Sequence, residues 1–350
     1  MTTPRYTRQP TTTEVAAAAH LSPHEVLRFD HNTSPFPTDW ALDRITSAAR
    51  TLNEYPEADY RRIRDAAASY AGVEPDNVLA GAGIDELIQL VANAFLSPDS
   101  SAVMLTPTYP LYRIATSLRG ARLVELPPIE PGFAFPVQAL LGASREADVT
   151  WLCVPNNPTG NHPGLDIVAA LAESTSGIVV VDAAYAEIAG DDWSALAARF
   201  PNVIDLHTLS KAFGLAGARV GYAVGPEDLI RRIDGVRPPG SISSLSVELA
   251  VDALEEPNRM RRRVERIIRE RTRLAAALDE LEIAVLPSDA NFLLCHVGDR
   301  AGEVAERLLE EGLVVRDYPK DSRLGQYLRF TVRLPNEDDR LLDALWRHLR

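Results

Sequence analysis

The chain has 350 residues, 46% hydrophobic and 24% charged, which is ample for two domains and a sizeable core. A formal net charge of −13 argues against a nucleic-acid partner, which would need a basic face. The two cysteines, Cys153 and Cys295, give neither a disulfide framework nor a metal-ligand spacing, and they read as buried free thiols. No apolar run reaches membrane-spanning length, and residues 15–19 are too short and too weak for a secretory leader. The expectation is a soluble, cytoplasmic protein without a metal.

Residues 1–20 are rich in Thr, Pro and Ala without periodicity and read as a loose arm. Residues 29–37 form a turn-rich, extended segment whose prolines forbid a central strand. Helical spacing runs over 40–52 and stops at Asn53-Glu54-Tyr55-Pro56; a second helix follows over 59–70. Then comes Ala80-Gly81-Ala82-Gly83-Ile84-Asp85, ahead of an apolar helix over 87–96. Glycines at a helix start let backbone N–H groups approach an anion, which the helix dipole favours. The third glycine of a dinucleotide fingerprint is missing.

A short buried strand over 103–105 delivers Thr106-Pro107-Thr108-Tyr109-Pro110. Residues 149–154 and 178–181 are nearly all apolar, as suits strands buried on both faces of a sheet. Beyond their C-terminal ends stand Asn157 and Asp182, where α/β proteins place ligands. The strand over 203–206 leads to Ser210-Lys211, a loop of small residues, Arg219 and a further apolar strand. A desolvated lysine amine loses its proton readily and becomes a nucleophile, able to form an imine with a carbonyl cofactor. Ser210 and the fork of Arg219 suit an anion nearby.

Residues 259–273 hold eight arginines with Glu265 and Glu270, and Val264, Ile267, Ile268 and Leu274 recur at helical spacing. This predicts an amphipathic helix with a solvated charged face and an i,i+4 pair between Glu265 and Arg269. Strands over 284–287, 292–297, 313–316 and 327–332, a helix over 301–311 and a closing helix from 337 read as a smaller α/β domain.

Three motifs in order carry a resemblance: Val154-Pro155-Asn156-Asn157-Pro158-Thr159-Gly160, Val179-Val180-Val181-Asp182-Ala183-Ala184-Tyr185, and the segment from His207 to Tyr222 around Lys211. Together they resemble the signature of the fold type I class I/II aminotransferases that use pyridoxal phosphate (PLP). The likeness is strongest to histidinol-phosphate aminotransferases, with threonine-phosphate decarboxylases also similar, and it runs from about residue 29 to the C-terminus. It implies a large three-layer α/β/α domain with a mostly parallel sheet, plus a smaller α/β domain. The implied division is an arm over 1–28, a PLP-binding domain over 29–240, and a small domain over 241–350. Residues 29–44 would contribute to the small domain and the mouth of the site.

The resemblance assigns Lys211 to the imine with PLP and then to proton transfer, Asp182 to the ring nitrogen, and Tyr185 and Asn157 to the ring's 3-oxygen. Tyr109 would stack on the ring. Gly81, Ala82, Gly83, Ile84, Asp85, Ser210 and Arg219 would hold the phosphate, with Tyr55 reaching in from the second subunit of a homodimer. Arg329 matches the arginine that grips the α-carboxylate, and Arg316, 13 residues earlier, the one for a distal anion. Asn157 and Tyr109 would also touch substrate.

Relatives carry a phosphate-binding tyrosine in a Pro-Tyr pair near the N-terminus and another after two prolines; here His24 follows Pro23, and Gly240 follows Pro238-Pro239. The implied activity is amino transfer between an amino acid or amino-phosphate compound and a 2-oxo acid, with histidinol phosphate expected to be a poor substrate. The alternative is decarboxylation of the threonine-phosphate kind.

Overall fold

The computed structural model of the protein describes residues 8–191 and 194–349. After a short strand β1 (Leu27–Arg28), seven strands build a central sheet: β2 (Val78–Gly81), β3 (Ser101–Leu105), β4 (Arg122–Leu126), β5 (Val149–Cys153), β6 (Ile178–Asp182), β7 (Val203–Thr208) and β8 (Gly221–Val224). Their order is β2-β8-β7-β6-β5-β3-β4, and β8 alone runs against the rest. The continuous apolar runs are explained by burial: β3, β5, β6 and β7 are buried along their whole length, while the edge strand β4 is partly exposed. The parallel strands β3, β5, β6 and β7 end at one edge, so the residues that follow them meet there.

The C-terminal region adds β9 (Ala284–Val285), β10 (Phe292–His296), β11 (Leu313–Val314) and β12 (Tyr327–Thr331). An antiparallel sheet runs β12-β10-β9, and β11 pairs in parallel with β1. Just past β11, Arg316 bridges Arg329 on β12.

Three expectations need correction. The arm is not loose over its described part: Thr12–Ala18 is a helix whose capping box joins Thr11 and Glu14. Val15 and Ala16 are buried against Val26 and Val314. Residues 1–7 lie outside the described residues. The helix expected over 40–52 is broken into a 3-10 turn (Asp39–Ala41), Leu42–Ala48 and a second 3-10 turn (Ala49–Thr51). Its Leu42 and Leu52 are 63% and 56% exposed, so they face no core among the described residues. The arginine-rich helix spans Pro257–Glu280, but Glu265 and Arg269 form no ion pair among the described residues. Its charges serve as struts instead: Arg263 donates to Phe213 and Pro37 carbonyls, Arg271 to the Ala290 carbonyl, and Arg273 pairs with Glu270 at 2.6 Å. Glu270 is buried, so this face is only partly solvated.

Candidate active site

The meeting edge of the sheet opens into one cavity of about 970 Å³. Lys211, just past β7, stands on its wall with Asp182 at the end of β6, Tyr185 beyond it, Asn157 past β5 and Tyr109 past β3. Ile84, Asp85, Ser210, Arg219, Arg316 and Arg329 also line it. Gly81, Ala82 and Gly83 do not, and Tyr55 stands 96% exposed, away from the cavity of its own chain.

Asp182 is 3% exposed and accepts hydrogen bonds from the Tyr112 hydroxyl and, at 3.1 Å, from the Ala184 N–H. Tyr112 is itself fully buried and stacked on Trp151 with ring centroids 5.5 Å apart. No cation pairs with Asp182 among the described residues. Burial pushes its carboxyl up to about 6, although the two hydrogen bonds pull the other way. A buried carboxylate facing a cavity without a counter-charge is suited to a protonated ring nitrogen.

Across the cavity, the Lys211 Nζ donates to the His31 carbonyl at 3.0 Å. Burial, and then the charge of Arg329, bring its amine down to about 8. The extended segment over 30–32 thus forms part of the site. Asn32, at φ +52°, is fixed by its N–H to Thr331 Oγ1 (2.9 Å) and by its amide to the Tyr185 hydroxyl (3.0 Å). That bond uses the phenol oxygen as acceptor and leaves its proton for a ligand.

Arg329 is 6% exposed; it donates to Asn157 Oδ1 and to the Asp30 carbonyl, each at 2.5 Å, while its Nε is buried without a partner among the described residues. With its oxygen engaged, Asn157 keeps its NH2 as a donor. Arg316 and Arg329 exchange backbone hydrogen bonds of 3.2 and 2.9 Å as a directly opposed antiparallel pair, so both side chains leave the same face and reach the same cavity. The two residues, expected to serve the α-carboxylate and a distal anion, are thus cross-strand neighbours on one wall.

The glycine turn shapes the anion cup rather than lining it. The Ala82 N–H is held by Glu86 (2.5 Å) and the Gly83 N–H by the Gly81 carbonyl (2.8 Å). Gly83 is needed on two counts: its φ is +79°, and a Cβ there would stand 3.0 Å from the Arg219 Nη2. The donors left are the first-turn N–H groups of the helix Ile84–Phe95, at the positive end of its dipole, with Ser210 and Arg219. Arg219 sits at φ +53°, a strained conformation that functional sites retain. Asp85 pairs with Arg219 at 2.9 Å and accepts from Tyr109 at 2.8 Å, so its carboxylate orients those groups.

Six arginines and Lys211 line the cavity against Asp30, Asp85 and Asp182, a positive site in a chain of charge −13. Such a cavity draws in anions. Sequence reasoning missed Tyr112, although it lies one helical turn past Tyr109, and Tyr318; it expected the segment of Asp30 and His31 at the mouth of the site without singling those residues out. Among the described residues, no cluster of three His, Cys, Asp or Glu could hold a metal, and no helix is long and apolar enough to cross a membrane.

Residues 25–345 match the family model described as aminotransferase class I and II. The chain belongs to the class I and II aminotransferases. This aminotransferase is 38% identical over 323 residues to histidinol-phosphate aminotransferase 2 of Archaeoglobus fulgidus, covering 92% of each chain. It is similar in structure to the histidinol-phosphate aminotransferase of Sinorhizobium meliloti in complex with pyridoxal 5′-phosphate, with TM-score 0.89, 26% identity, and 98% and 95% of the two chains covered. An L-threonine-O-3-phosphate decarboxylase from Porphyromonas gingivalis shares the fold at TM-score 0.77 and 22% identity, with 91% of this chain and 100% of that one covered.

The aminotransferase uses pyridoxal 5′-phosphate, and the cavity fits it: a low-pKa lysine, a buried unpaired carboxylate and a helix N-terminus beside Arg219 stand around one space. One consequence can be measured without turnover. In cofactor-free protein, acylation of Lys211 by an amine-directed reagent should rise with pH around a midpoint near 8, because burial favours the neutral, reactive amine. A midpoint near that of an ordinary lysine, about 10.4, would show that the amine is not desolvated.

Proposed function

We propose that the enzyme takes its amino group from a donor with a phosphate close to the reacting carbon, of the histidinol-phosphate kind, and passes it to a 2-oxo acid. The observation that carries this reading is the cross-strand pairing of Arg316 with Arg329 in the Lys211 cavity. Two arginines that leave neighbouring positions for one cavity can share a doubly charged anion. The name of the Archaeoglobus fulgidus relative agrees. The expectation of a poor fit rests on His24 and Gly240. Neither lines the cavity of its own chain: His24 lies beside Ser22 in a short 3-10 turn, and Gly240 is exposed. They therefore weigh little against histidinol phosphate within one chain. The decarboxylase reading rests on a likeness of fold alone.

Pyridoxal phosphate, when bound, supplies a sink for the electrons released at the donor's reacting carbon. Lys211 would hold it covalently and, once displaced by the donor amine, would take the proton from that carbon with its neutral amine. Asp182 would keep a negative charge against the ring nitrogen, with Tyr112 and the Ala184 N–H fixing its carboxylate. Tyr185 and the Asn157 NH2 would donate to the ring oxygen, and Tyr109 would cover the ring. The N–H groups of Ile84 and Asp85, with Ser210 and Arg219, would hold the cofactor phosphate.

A second subunit would complete that cup with Tyr55, and the active form is proposed to be a cytoplasmic homodimer. Leu42, Ile45, Leu52 and Tyr55 are exposed within one stretch of chain, as a subunit contact would require. Light scattering across the assay concentration range should show a dimer, with activity falling wherever monomer appears. A fully active monomer would contradict it.

The substrate reading is tested by mixing holoenzyme with histidinol phosphate, glutamate or phenylalanine without an acceptor and following the cofactor absorbance. Conversion to the pyridoxamine form should be most efficient with histidinol phosphate. Carbon dioxide release from phosphothreonine without that conversion would point to the lyase, and equal response to all three donors would refute the phosphate reading.

A further inference from the structure

Two donors in the cavity wall lack a partner among the described residues: the Nε of Arg329 and the hydroxyl of Tyr318, both buried. A buried phenol without a hydrogen bond is costly, and an unexplained one in a binding cavity points to a ligand group. Tyr318 comes two residues after Arg316, where the chain leaves the arginine bridge, and the Arg316 guanidinium lies 5.8 Å from its ring centre. The charges of Arg329 and Arg316 both act on the phenol, against the larger upward push of burial. Tyr318 therefore stands at the arginine pair.

The same connection brings two other polar side chains to the cavity, and both are engaged. Ser322 donates to the Pro319 carbonyl at 2.6 Å, and Arg323 pairs with Glu130 at 3.3 Å. Leu324, 5% exposed, anchors the connection against Phe133 and Leu294, and the Tyr318 ring packs on that cluster. Its position is thus set by packing rather than by a polar bond.

We propose that Tyr318 donates its hydroxyl to the substrate anion held by Arg316 and Arg329, and that this third donor makes the site prefer a phosphate monoester to a carboxylate. The inference rests on the phosphate reading above and names the residue that decides it. Arg329 has two of its nitrogens committed to Asn157 and Asp30 and keeps Nε, while Arg316 has no carboxylate partner among the described residues. The two arginines can satisfy both oxygens of a carboxylate. A phosphate monoester presents three terminal oxygens, and the third needs the phenol.

The test compares wild-type holoenzyme with Tyr318→Phe, which keeps the ring packing. Equilibrium binding of inorganic phosphate and of acetate is measured beside the half-reaction with histidinol phosphate. Losing a hydrogen bond to a charged group should weaken phosphate about tenfold to a hundredfold. Acetate should weaken at least severalfold less, and the apparent Kd for histidinol phosphate should rise far more than the rate at saturation falls. Equal weakening of phosphate and acetate, or no change for phosphate, overturns the proposal. If phosphate binding depends on Tyr318 but histidinol phosphate transfers no amino group, the anion preference stands and the substrate reading falls.

Discussion

Lys211→Ala is expected to abolish amino transfer, with kcat lower by at least about a thousandfold, since one side chain both attaches the cofactor and moves the proton. Structural damage should be slight. The only bond of its Nζ described is the one to the His31 carbonyl, and a smaller residue relieves the desolvation that brings the amine down to about 8. The variant should therefore fold, and it should still hold cofactor weakly through the cup at the start of the helix Ile84–Phe95. Steady-state assay, dialysis against cofactor and circular dichroism separate these effects. A folded variant with more than about a tenth of wild-type activity would remove Lys211 from the chemistry.

Arg329→Ala is expected to impair every donor. Taking away the arginine of a buried arginine–anion pair costs about 3–5 kcal/mol, because the partner charge stays unpaired. At about 1.4 kcal/mol per tenfold, that is on the order of a hundredfold to several thousandfold in kcat/KM. The impairment has a second source: Arg329 also positions Asn157 and the Asp30 carbonyl, next to the His31 carbonyl that holds Lys211, so removing it loosens the wall beside Lys211. Arg316→Ala should discriminate, with a large loss for donors bearing phosphate and a smaller one for neutral amino acids. Kinetics of both variants with histidinol phosphate, glutamate and phenylalanine decide this. Equal losses for all donors in Arg316→Ala would mean that the pair does not read the substrate anion.

Much of the central sheet was legible because its strands are buried on both faces. The apolar runs at Val149–Cys153 and Ile178–Asp182 carry their own signal, and the polar residues beyond them had to fall at one edge. Lys211, Asp182 and Asn157 fall at that edge for that reason. What escaped depends on contacts distant in sequence. The arginine pairing requires the register of Arg316 on Arg329 across a 13-residue excursion, which spacing alone cannot give. The role of His31 is a backbone carbonyl, to which side-chain chemistry is blind. Tyr112 looked like core and is core, yet its hydroxyl ends on Asp182. The helix Thr12–Ala18 did have a readable signal in Thr11 and Glu14, outweighed by composition. The helix over 40–52 failed for a different reason: Ala41 and Ala48 are buried, but Leu42, Ile45 and Leu52 of the same spacing stay exposed.

The most direct test of the central claim uses the rarity of lysine: the chain contains only Lys211 and Lys320. Holoenzyme reduced with borohydride and digested should yield cofactor fixed to the peptide bearing Lys211, close to one per chain, with the Lys320 peptide unlabelled. Cofactor fixed to Lys320, or a catalytically active holoenzyme in which neither lysine is labelled, would contradict the assignment of this cavity as the site of the chemistry.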